Sequence, residues 1–214
     1  MFTNGVVPID LSAEGRSRLN QVLDGCFWNA GFVDEQARIG IVAVELVGVS
    51  FEGQRRGDAY PIVMACHPVS RVAASYKVDG VVRPLDLRDI NAAVHEFSFK
   101  EIDDWDIIDP PTNQRFRWQK DLSIDKSLNG SSEARAQMHF LEMWQYDGSS
   151  QSFDLALWFQ NLFLFDAHMN TLTLSDLEEA RKKRLEAIGE IGWHRTAIVP
   201  CFDIDDLLSK IRTG

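Results

Sequence analysis

The sequence lacks an excess of positive charge. Its 22 Lys and Arg residues stand against 32 Asp and Glu, a formal net charge of −10. Reading nucleic acid through its phosphates requires a clustered basic surface. The one basic run, Arg181-Lys182-Lys183-Arg184, is balanced by Glu178, Glu179 and Glu186 around it, so it reads as a solvated helix face. No nucleic-acid partner is expected. Cysteine is scarce: Cys26, Cys66 and Cys201 lie far apart with no Cys-x-x-Cys pair. An odd count at such spacing fits thiols that pack as small hydrophobes in a reducing compartment. Unbroken apolar runs reach only about six residues, against the ~20 a membrane helix needs. The first residues have neither a basic nor an apolar leader region. A cytoplasmic protein with no membrane partner is the expectation.

Signature motifs are missing too. Neither Gly-x-Gly-x-x-Gly nor the P-loop pattern occurs, nor Gly-x-Ser-x-Gly, nor His-Glu-x-x-His. Common nucleotide enzymes, serine hydrolases and zinc proteases are thereby excluded, and no cofactor or metal is expected. The five histidines (67, 95, 139, 168 and 194) show no pairing at ligand spacing.

What is present is a strand-rich pattern between helices. Residues 10–24 read as a helix, capped by Asp10 or Ser12 and stopped at Gly25. Ile39 to Phe51 is apolar on both alternating sets, as in a strand covered on both faces. Tyr60 to Cys66 is another apolar run, stopped by Pro68. Arg71 to Leu85 is a hairpin about Asp79-Gly80, a pair suited to a type I′ turn. Residues 86–96 carry a helical turn or two, and Phe97 to Ile102 alternates like a strand. A second hairpin runs from Gln137 to Phe165. A two-residue turn at Asp147-Gly148 would place Met138, Phe140, Glu142, Trp144 and Tyr146 on the core face with Phe153, Leu155 and Leu157. Ser175 to Glu178 reads as a capping box for a helix reaching Gly189 or Gly192. A last short helix is expected from Asp205 to Ile211.

The fold expected is α+β: an antiparallel β-sandwich or strongly curved sheet, with an N-terminal helix and C-terminal helices packed on one side. One domain over 1–214 is the first reading. The alternative is two related β-modules, 1–111 and 112–214, suggested by the likeness of Phe97-Ser-Phe-Lys-Glu-Ile102 to Leu157-Trp-Phe-Gln-Asn-Leu162.

Four residues are candidates for catalysis. Glu142 and Glu45 sit at the centre of apolar strand faces, where an ionised carboxylate is costly unless paired, for instance by Arg115 or Arg117. His139 and Asp154 share a face of the second hairpin and could form a general acid–base pair. The stretch with Asp103, Asp104, Trp105, Asp106 and Asp109 is a candidate binding edge. It lacks the spacing of a calcium loop, and charges on an exposed strand edge also deter aggregation. Six tryptophans and 13 phenylalanines give a bulky core or an aromatic pocket. The leading functional reading is a non-enzymatic acidic protein-interaction module of bacterial inhibitor or immunity type, which covers a basic partner by charge complementarity. The alternatives are a β-sheet pocket for a small ligand and a carboxylate-dependent hydrolase or lyase.

Overall fold

Ser12 starts the first helix by accepting the Gly15 amide on Oγ at 3.2 Å, while Asp10 accepts the Ser12 amide at 2.9 Å. Gly15 has no side chain because a Cβ there would come within 2.0 Å of the Asp10 carbonyl oxygen. The helix, α1 (Ala13–Leu23), buries Leu19, Val22 and Leu23 and gives way at Gly25, whose φ of 72° favours glycine. The computed structural model describes residues 7–46, 60–96, 104–109, 119–128, 139–146 and 150–188. The expected strand at Phe97–Ile102 and the helix at Asp205–Ile211 lie outside these.

The described strands are β1 (Phe27–Asp34), β2 (Ile39–Leu46), β3 (Tyr60–Val78), β4 (Val81–Val82), β5 (Asp104–Ile108), β6 (Ile124–Ser127), β7 (His139–Tyr146), β8 (Ser152–Asp166) and β9 (Thr171–Leu172). The helices α2 (Ile90–Glu96) and α3 (Leu174–Ile188) complete the order. The strands form one antiparallel, unclosed sheet in the order β1-β2-β3-β8-β7-β5; β4 and β6 join β3, and β9 joins β8. Every residue of β2 is buried, as its two apolar alternating sets require.

β3 does not stop at Pro68. On one edge it pairs with β2 as far as Cys66 and with β6 from Arg71 onward. Pro68 sits where that edge changes partner, so its missing N–H breaks no ladder bond there. On the other edge the register with β8 shifts between Val69 and Arg71. The β3–β4 turn agrees with the expected hairpin: Asp79 and Gly80 both have positive φ, 53° and 71°, and Val78 pairs with Val81.

The second hairpin differs from expectation. β7 pairs Tyr146 with Ser152, so five residues join the strands instead of two. An odd shift exchanges the faces. Leu141 and Met143 now share the main core with Phe153, Leu155 and Leu157. Phe140 lies on the opposite face against Trp158, with ring centroids 5.0 Å apart, and Trp144 is half-buried there. Met138 is outside the described residues. The aliphatic set suits the densely filled interior. The aromatic set, with the polar groups of Trp144 and Tyr146, suits the less covered face.

The main core joins this alternating set of the sheet to buried residues of all three helices, among them Leu19, Val94 and Leu177. Two smaller apolar clusters lie on the other face, around Phe163 and Phe165 and around Phe140 and Trp158. The cap of α3 also moves from its expected place. Thr173 and Asp176 form the reciprocal pair: Thr173 donates to the Asp176 carboxylate at 2.7 Å, and the Asp176 amide donates back at 3.2 Å. Glu178 instead takes both Nε and Nη2 of Arg18, tying α3 to α1.

Candidate functional site

α1 turns a second stripe away from the core. Residues 13, 16, 17, 20, 21 and 24 recur at three- and four-residue spacing, the period of one helix face. They form one wall of an open groove of about 550 Å³. The other wall is Asp106, Ile107 and Ile108 of β5, and Arg181 of α3 closes one side. Successive strand side chains point to opposite faces, so a groove touched by three consecutive residues abuts the edge of β5. That strand is the last in the sheet order, and no described strand pairs with its second edge.

The groove is polar. Arg16 donates to Asp109 at 2.6 Å, which holds the Asp109 carboxyl below the usual carboxylate range. The Asn20 side-chain oxygen is shut off from solvent and has no hydrogen-bond partner among the described residues. Asp24, Asp106 and Arg181 make no hydrogen bond or ion pair among them either. An acceptor without a donor, and two unpaired carboxylates against the single unpaired cation Arg181 among the described residues of the groove, suit a ligand that brings N–H groups and a net positive charge.

The expected site residues fall in separate places. Glu142 is not at the centre of the main core: it is half-buried on the other face, paired in register with Asp106 on one side and Ala156 on the other. His139 and Asp154 do not come together, because the register puts them on opposite faces of the sheet. His139 instead packs near Phe159 and brings Nδ1 to 3.2 Å from Asp109. Glu45 is only 6% exposed and accepts Nδ2 of Asn29 at 3.1 Å; burial pushes its carboxyl up to about 7. It stands between Phe27 and Pro61 on its neighbouring strands, away from β5.

The acidic stretch divides by strand alternation. Trp105 and Ile107 pack on the main core, Asp106 takes the other face, and Asp109 is held by Arg16 beyond the strand end. Asp104 occupies the register position opposite Trp144, while Asp103, Arg115 and Arg117 lie outside the described residues. No group of three or more His, Cys, Asp or Glu among the described residues is placed to hold a metal ion. No helix among them is long and apolar enough to cross a membrane.

Sequence reasoning missed Arg16, Asn20 and Arg181. The polar stripe of α1 carried the signal, since it is as regular as the apolar one. Arg181 was hidden in a run of cations that looks uniformly solvated. No protein-family model, curated protein or solved structure matches the chain.

Proposed function

We propose that this chain is a non-enzymatic protein-interaction module that takes a basic segment of a partner protein into the groove between α1 and β5. An inhibitor or immunity role, in which an acidic surface covers a basic target, is the sharpest form of this reading. The observation that carries it is the groove itself, open, lined by Asp24 and Asp106, which have no ion pair among the described residues, with the unsatisfied Asn20 oxygen on its α1 side. An enclosed apolar cavity would have favoured a small ligand. A catalytic pair of His139 and Asp154 would need the two in reach of one another, and they occupy opposite faces. The net charge of −10 adds long-range attraction for a cationic partner. Arg181 offers a donor for backbone carbonyls of the bound segment. Cys26 and Cys66 are both buried, as thiols that pack as small hydrophobes are, which suits work in the cytoplasm.

The test is selection of a displayed library of random heptapeptides on the immobilised protein. Enrichment of Lys- and Arg-rich segments is expected, with at least tenfold loss on the Asp24→Lys/Asp106→Lys variant. Equal enrichment on that variant, or enrichment of apolar or acidic segments, overturns the reading.

A further inference from the structure

The groove abuts a strand edge, and that fixes how a polypeptide would sit in it. β5 gives one edge to β7 over five consecutive register pairs, from Asp104 opposite Trp144 to Ile108 opposite Phe140. Its second edge, which no described strand pairs with, faces the groove, with α1 lying alongside and anchored to the strand end through Arg16 and Asp109. A strand edge beside a helix is the setting in which extended peptides add to a sheet by backbone hydrogen bonding, with alternate side chains giving specificity.

We infer that the partner segment binds as an added strand on the outer edge of β5. This rests on the reading of the groove as an interaction site and specifies its mode. Alternation sets the sequence the edge accepts. One set of side chains would lie on the sheet face of Asp106, extending the row Asp106–Glu142–Ala156. A cation beside Asp106 in that row is a favourable cross-strand pair, whereas a carboxylate there is repelled. The other set would lie on the α1 side, towards Asn20 and Arg181, where a hydroxyl side chain supplies the donor that the Asn20 oxygen lacks. The same charge that bars neutral and acidic strands from the edge, and so protects it from aggregation, admits a strand bearing lysine or arginine at every second position.

The probe is a capped heptapeptide of alternating Lys and Thr. Strand addition turns the N–H groups of only one alternating set towards β5. Two N-methylated versions are made, one at all Lys positions and one at all Thr positions. Binding is measured by fluorescence anisotropy at about 0.15 M salt, where screening has removed weak long-range attraction. The expected result is that one version loses at least tenfold in affinity while the other stays within about threefold of the unmodified peptide. Asp106→Lys should weaken the unmodified peptide by at least tenfold. Equal binding of the two methylated versions overturns strand addition. So does failure of the unmodified peptide to bind when the heptapeptide library still yields basic segments, a result that leaves the groove reading standing. A library that yields nothing removes the groove reading itself.

Discussion

Glu45 shows what one buried carboxylate does to stability. Burial raises its pKa from 4.5 to about 7, and Asn29 supplies one hydrogen bond with no charge to offset ionisation. A folded-state pKa above the unfolded one means that stability is fully present below pH 4.5 and is lost as the pH rises through 7. At about 1.4 kcal/mol per unit, the loss approaches ~3 kcal/mol at alkaline pH. Glu45→Gln keeps an oxygen for Asn29 and removes the titration. The variant should melt with the wild type at pH 5 and several degrees above it at pH 8. Thermal melts at the two values check this, and a constant difference between the proteins across that range would show that Glu45 does not titrate on folding. Glu45 was legible in the sequence because its strand is apolar on both alternating sets, so its side chain is buried whichever way it points. Glu142 was not. Its strand is apolar on one set and mixed on the other, and its surroundings depend wholly on register.

Elements tell the same story at larger size. The β3–β4 hairpin could be read because two residues with positive φ and the alternation beside them agree. The β7–β8 hairpin carries an equally good turn dipeptide, Asp147-Gly148, but its register follows the packing of Leu141 and Met143 opposite Leu157 and Leu155. Tertiary burial outweighed local turn chemistry there. β3 was read as two strands because proline breaks a ladder, and only the change of partner on one edge shows that nothing is broken. The groove was less legible still, since it depends on α1, β5 and α3 meeting across long stretches of chain. Register makes a prediction that distinguishes the two faces. Phe153 is fully buried, with its ring 5.2 Å from that of Trp28, so Phe153→Ala should cost ~3–5 kcal/mol. Trp144 is half-buried on the opposite face, and Trp144→Ala should cost less than half as much. Urea unfolding of both variants measures the difference; the reverse order would put the aromatic set of β7 in the main core.

The whole molecule depends on a pairing between two segments far apart in the chain. β3 and β8 are matched from Ile62 opposite Asp166 to Lys77 opposite Ser152, and both strands supply the main core along that length. β5 falls within residues 1–111, yet its described strand partner is β7, within 112–214. α1 and α3, from opposite ends of the described chain, are joined by the Arg18–Glu178 pair. At about 40% exposure for each side chain, solvent screens this bridge, so apolar burial carries the connection. A sheet whose central pair comes from distant segments cannot gain its stability in halves, because each half would leave a long apolar strand edge unpaired. Folding as one cooperative unit is therefore expected. Heat should give a single transition with equal calorimetric and van't Hoff enthalpies. Fragments 1–111 and 112–214 should each be unfolded or aggregate alone and recover strand signal in circular dichroism only when refolded together. The slowest-exchanging amides should lie in Ile62–Cys66 and Leu155–Leu164. Either fragment folding alone, or two separate transitions in the intact chain, would divide the protein into two modules and make the β3–β8 pairing an interface between them.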